Sequence, residues 1–212
     1  HLAVRGGCAR GAGRRYRGGT FVGHGHASLR FLLCCVSRGR FQGIAGVKID
    51  IRAIRPNDAD AVVAMAAALS AHEGKAPPPF DVAAFRRHGF GARALFDGMI
   101  AETGGEAVGY ALFREMFNID SGRPGLHMMD LFVQPEHRRG GAGRALLAAL
   151  AARCLAIDGG WITWQCLERN TGAMAFYQAI GGRRFACADF ELAGDALGAL
   201  AAGASNTRGA RG

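Results

Sequence analysis

Acidic residues are missing from the first 48 positions of this chain. Nine of its 26 lysines and arginines stand there (Arg5, Arg10, Arg14, Arg15, Arg17, Arg30, Arg38, Arg40 and Lys48), and the rest equal the 17 aspartates and glutamates in number. The formal charge of +9 therefore belongs to the leading segment, and residues 49–212 are formally neutral. A neutral folded part has no electrostatic footprint for phosphate backbones, so nucleic acid is not an expected partner of it. No Cys-x-x-Cys pair occurs among Cys8, Cys34, Cys35, Cys154, Cys166 and Cys187, and no His/Cys ligand spacing accompanies them, so no metal site is expected. Cys154, Cys166 and Cys187 lie in apolar runs, where a free thiol acts as a small hydrophobe. A reduced, cytoplasmic setting follows as the expectation. No apolar run approaches bilayer length, so no membrane partner is expected either.

Three segments emerge from composition. Residues 1–46 are Gly- and Arg-rich with little periodicity and read as a basic, disordered leader. A targeting segment or a nucleic-acid-binding arm would share that composition. Residues 47–193 read as one folded domain, long enough to bury a core without staples. Residues 194–212 read as a largely disordered Ala/Gly-rich tail, although the Ala-rich run before "GASNTRGARG" suits a short helix.

Within the folded part, "VKIDIRAI" alternates as a half-buried strand does. Asn57 or Asp58 can cap a helix running to about Leu69, ended by Gly74 and Pro77–Pro79. "DVAAFRRHGFG" predicts a short helix, and "ALFDGMIAE" with "AVGYALFREMF" predicts a hairpin turning at Gly104–Gly105. "LHMMDLFV" predicts the next strand, then a helix from about Gly141 to Ile157. "WITWQCL" predicts a strand, "NTGAMAFYQAIGG" a short helix, and "RRFAC" a last strand. The order β-α-α-β-β-β-α-β-α-β predicts an α/β fold, a mixed sheet flanked by helices.

The stretch "VQPEHRRGGAGRALLAAL" is the most informative. Glycines at a helix start cost backbone entropy, and neighbouring arginines repel. Both costs are offset if the free N–H groups of the first turn, the helix dipole and the arginines hold an anion, and phosphate is the usual guest. A P-loop would need Gly-Lys-Ser/Thr, and a dinucleotide fingerprint would need a third glycine where Leu146 stands; the chain has neither.

What remains, Arg138-Arg139-Gly140-Gly141-Ala142-Gly143 with the lead-in "DLFVQPEHR", resembles the pyrophosphate loop of the GCN5-related N-acetyltransferases (GNAT). "WQCLERNTGAMAFYQAIGGRR" is similar to that family's later motif: a strand, an Asn, an Ala three residues on, then Phe-Tyr and a Gly turn. "IRAIRPNDADAVVAMAAALSAHEG" and "HGFGARALFDGMIAETGGEAVGYAL" extend the similarity towards the branch of diamine and thialysine acetyltransferases, over about Val47 to Phe185. The resemblance implies a single-domain α/β fold with a mixed, mostly antiparallel sheet, acetyl-CoA as co-substrate, a small amine acceptor and a homodimer.

Residue by residue, the resemblance implies that the backbone of Leu131, Phe132 and Val133 pairs with the pantetheine arm, and that groups around Val133 hold the developing oxyanion. It places the pyrophosphate on Arg138, Arg139, Gly140, Gly141, Ala142, Gly143 and Arg144, and lines the arm with Asn170 and Ala173. Tyr177 would protonate the departing thiolate. A phenol keeps its proton at neutral pH, though Tyr177 also sits in a stripe with Ala173, Phe176 and Ile180 that suits a core. Polyamine enzymes of this branch carry Glu before the strand's Asp; here Met129 precedes Asp130, which weakens a polyamine assignment. Glu73 matches an acidic acceptor-contacting position and could equally be a solvated helix-end charge. His127 shares a strand face with Met129 by alternation, and His72, Asp130 or a water chain are further routes for the proton. A protein or peptide lysine is an alternative acceptor, and an acyl-CoA-binding sensor without turnover is an alternative activity.

Overall fold

The computed structural model describes residues 39–42 and 48–206, and the rest of the predicted leader lies outside them. Two units divide at Gly181. In the first, the elements run β1 (Gly39–Gln42), β2 (Lys48–Ala53), α1 (Ala59–His72), α2 (Val82–Phe90), β3 (Asp97–Thr103), β4 (Glu106–Asn118), β5 (Arg123–Val133), α3 (Ala142–Ala156), β6 (Ile162–Thr163) and α4 (Thr171–Ala179). The six strands form one sheet in sequence order. Every pair is antiparallel except β5 with β6, which is parallel. This is the mixed, mostly antiparallel α/β arrangement the sequence predicts.

Each face of the sheet buries one apolar cluster. On one, Leu146 and Leu150 of α3, both fully buried, pack with Ile49, Met99, Leu126 and Met128. Each such leucine stabilises the fold by about 2–3 kcal/mol. On the other, Val62, Met65 and Ala66 of α1 and Phe85 of α2 pack over Ile100, Tyr110, Leu112 and Phe132. Asp81 caps α2, accepting the Ala84 N–H at 2.7 Å. Gly104 and Gly105, with φ of 62° and 90°, supply the two left-handed residues that a tight β3–β4 turn requires.

Four expectations are corrected. Gly39–Gln42, inside the segment read as leader, forms an edge strand on β2; Phe41 packs against the α3-side cluster, and Asp50 attracts Arg40 and Lys48 at 3.9 and 3.2 Å. Asp58 does not cap α1 through its side chain; its carboxylate receives both Arg52 guanidinium NH groups at 2.7 Å and the Arg55 N–H at 2.6 Å. The "WITWQCL" strand is reduced to Ile162–Thr163, because its ladder with β5 stops at His127. "RRFAC" joins no ladder among the described residues. A strand persists only with a partner for its backbone groups, and apolar composition does not provide one.

The second unit, residues 182–212, contains α5 (Gly194–Asn206) in the stretch read as tail. Within this unit the Arg183 guanidinium lies 5.4 Å from the centre of the Phe185 ring.

Candidate active site

The site begins with a defect in β5. Leu112 faces Asp130 across the β4–β5 ladder, yet the next residue, Phe113, faces Met128. Met129 is therefore the extra residue of a β-bulge, and it is 46 % exposed. The bulge changes the strand's parity: Leu126 and Met128 pack on the α3-side cluster before it, Leu131 and Val133 after it. It also coincides with the end of pairing to β6, which reaches only Leu126 and His127. Beyond His127, the β6-side edge of β5 carries no strand among the described residues. An edge of unpaired N–H and C=O groups accepts an extended amide-bearing chain as an added strand.

That edge runs into the N-terminus of α3. Gly141 stands before the helix at φ 100°, and Arg139 is also left-handed at 63°. The N–H groups of Ala142, Gly143 and Arg144 occupy the first helical turn, where no carbonyl four residues back can reach them. Gly143 needs a separate explanation. A Cβ there would meet Phe176 at 3.6 Å and Val133 at 3.9 Å, ordinary contacts, and one on Gly140 would meet only the His137 carbonyl, at 3.5 Å. The fold has room for alanine at both positions, so packing within the chain does not require these glycines. The same distances show that the start of α3, the end of β5 and α4 converge at one place.

Arg138 is occupied differently from its neighbours. Its Nε donates to the Val133 carbonyl at 3.0 Å, and its guanidinium lies 5.5 Å from the centre of the Phe132 ring. Asn170 caps α4, its side chain accepting the Ala173 N–H at 3.2 Å. Tyr177, on the next-but-one turn, packs against the α3-side cluster with its ring 5.0 Å from Trp164 and 5.4 Å from Phe176. Burial pushes its phenol up to about 12, with a smaller push from the neighbouring Cys166 thiol.

A group of acids occupies the α1 side of the bulge. Asp130 accepts a hydrogen bond from the Tyr110 hydroxyl at 3.1 Å. The ladder pairs Tyr110 with Phe132, so Asp130 is its diagonal neighbour on the same face. Burial raises the Asp130 carboxyl above the ordinary carboxylate value; the Tyr110 hydrogen bond pulls it down, and the charge of Glu73 pushes it up again. The same burial, with Asp130 beside it, drives the Tyr110 phenol far up, so it remains a donor. Glu73 follows α1, and Arg169, just before Asn170, clasps its backbone carbonyl at 2.6 Å. The end of α1 is thereby tied to the motif that opens α4. Cys166 is raised by burial and by Glu73.

The sequence profile of the acetyltransferase (GNAT) family matches residues 66–181. The chain belongs to this family. It is 31% identical over 133 residues to the thialysine N-epsilon-acetyltransferase of Caenorhabditis elegans, covering 62% of this chain and 81% of that protein. It is 30% identical over 97 residues to the L-ornithine N5-acetyltransferase NATA1 of Arabidopsis thaliana, where the match takes in 44% of this chain and 41% of the relative. Both place it near the diamine and thialysine branch of the GNAT family. Among solved structures, an integron cassette protein from V. cholerae superposes with a TM-score of 0.63 at 23% identity, over 72% of this chain and 97% of the other, a likeness of fold.

The GNAT fold thus brings the residues predicted for the site into two groups. Leu131 and Val133 stand on the open edge; Phe132, predicted with them, turns its backbone to Tyr110 of β4 and buries its side chain under α1. A Cβ on Gly143 would touch Val133 and Phe176, and Tyr177 packs on the same α3-side cluster. Glu73 and Asp130 form the acidic group, with Met129 exposed beside them. His127 stands apart: it pairs with Thr163 before the bulge, its Nδ1 lies 3.3 Å from Thr163 Oγ1, and burial and Arg114 hold it below the ordinary imidazole value. Tyr110, Lys75, Cys166 and Arg169 were not legible as site residues. Tyr110 reads as one more apolar position of "AVGYALF", and only the strand register puts its hydroxyl on Asp130.

Proposed function

We propose that the chain transfers an acetyl group from acetyl-CoA directly to a primary amine of a small molecule. The open edge of β5 running into the α3 N-terminus carries this reading. It suits a ligand that is an amide-bearing arm at one end and a pyrophosphate at the other. The residues fit that group: the outward backbone groups of Leu131 and Val133 for the arm, and the N–H groups of Ala142–Arg144 with Arg139 and Arg144 for the phosphates. When bound, acetyl-CoA supplies a thioester whose acyl carbon accepts the amine and whose sulfur leaves as thiolate.

The chain's own groups then handle two protons and one charge. Asp130, held above the ordinary carboxylate value and oriented by Tyr110, takes the proton of the incoming ammonium. Backbone N–H groups beyond the bulge face the carbonyl oxygen as it becomes negative. Tyr177, a phenol pushed up to about 12 and so protonated at neutral pH, donates to the thiolate, and the second proton that nitrogen sheds as the amide forms restores the phenol. An amide and a thiol result. Relatives that act on thialysine and ornithine support a small, amine-bearing acceptor.

Thiol release from acetyl-CoA, followed over a panel of amines beside Tyr177→Phe, tests the reading. The expected result is amine-dependent release that falls about 10²-fold in the variant. Release unchanged in Tyr177→Phe discards Tyr177 as the acid. Acetyl-CoA binding with no release for any amine supports a sensor instead, and absence of binding overturns the proposal.

A further inference from the structure

One side chain near the acids, Lys75, has no place in the chemistry above, and it changes their charge count. Lys75 follows the turn that ends α1, with its N–H on the Ser70 carbonyl at 2.8 Å. Its ammonium sits 2.6 Å from Glu73 Oε2. Glu73 itself is fixed from the other side, through Arg169 on its carbonyl. Lys75 is thus held beside Glu73 by two local bonds, and Glu73 by a third from Arg169. Its charge acts on Asp130 in the opposite sense to that of Glu73. Glu73 and Lys75 together present little net charge to anything approaching Asp130.

We propose that Lys75 is a specificity-determining residue. By neutralising Glu73 it leaves Asp130 as the single uncompensated carboxylate, so the site favours acceptors with one net positive charge over dications and polycations. This inference rests on the acetyltransferase reading. It also accounts for how a pocket with Met129 in place of a second adjacent acid stays consistent: both features lower the negative charge that a second ammonium would need.

The test is a charge ratio. kcat/KM is measured at low ionic strength for monocationic acceptors (lysine, n-pentylamine) and dicationic ones (cadaverine, putrescine, lysine methyl ester). The wild-type chain, Lys75→Gln, Lys75→Arg and the double variant Glu73→Gln/Lys75→Gln are compared. Removing one positive charge within a few ångströms of a carboxylate at a protein surface should raise the dication-to-monocation ratio roughly three- to tenfold. Lys75→Arg should keep the wild-type ratio, and the double variant should return towards it because the freed carboxylate is gone. Added salt should shrink the effect. A ratio unmoved in Lys75→Gln, or moved equally in the double variant, overturns the role of Lys75 while leaving the acetyltransferase standing. Turnover of no amine by any variant overturns the acetyltransferase reading, and this inference with it.

Discussion

Removing one hydroxyl, in Tyr110→Phe, interrogates the base most directly. The ring stays in the α1-side cluster, so the fold keeps its packing, and the loss is the 3.1 Å hydrogen bond to Asp130. That bond is what pulls the Asp130 carboxyl down against the effect of burial. A hydrogen bond to a charged acceptor is worth about 1.5–3 kcal/mol. At 3.1 Å it is longer than a typical O–H···O contact, which argues for the lower end. About 1.4 kcal/mol corresponds to about one pKa unit. The sign follows from the ionised form losing its donor: the Asp130 pKa rises. If ionised Asp130 is the base, the acidic limb of the kcat/KM–pH profile moves up by about one unit while the plateau persists. Thiol release from pH 5 to 9, with thermal melting as a control for folding, reads this out. A limb that stays put, or moves to lower pH in a well-folded variant, would falsify the assignment of the base.

Gly143→Ala should leave stability equal or raise it by up to about 1 kcal/mol, since a helix interior favours Ala and the site has room. Acetyl-CoA affinity should nevertheless fall about tenfold or more, as isothermal titration would show. Arg52→Ala removes the cation shared by Asp58 and Glu102, with bonds of 2.7–2.8 Å and side chains largely buried. It should cost about 2–4 kcal/mol in denaturant unfolding because two carboxylates are left without their partner. Asp130→Asn should melt at a higher temperature than the wild type at neutral pH. A carboxyl raised by folding loses stability as pH climbs through its unfolded value, so the gap should close again as pH falls through the carboxylate range.

Much of the fold was legible because its signals are short-range. The α3 helix begins and ends within a residue of the expected bounds, since Gly141 and the Ala/Leu run encode it locally. The β3–β4 hairpin follows from two glycines. The glycine-arginine loop and the Asn-x-x-Ala…Phe-Tyr motif pointed to the same ligand independently, and the structure sets Gly143 against Phe176. Expectation failed where backbone partners lie elsewhere in the chain. "WITWQCL" and "RRFAC" are as apolar as the true strands, yet the first has a ladder for only two residues and the second joins none among the described residues. Asp58 has the right type and place for a cap, but Arg52 claims its carboxylate.

What the sequence determined by itself is the glycine-arginine loop before α3, the helices with their stops and the family, because each depends on residues within a turn or two of one another. Only the tertiary structure decided which acids lie together. Alternation along "LHMMDLFV" cannot reveal that Met129 is extra, so it cannot say that Leu126 and Leu131 face the same cluster. It cannot set Tyr110 on Asp130 from 20 residues away, nor tie Glu73 to Arg169 across 96. Those contacts come from ladder register and from the packing of α1 against the sheet. Both are chosen by the burial of whole faces, which no local stretch of sequence can report.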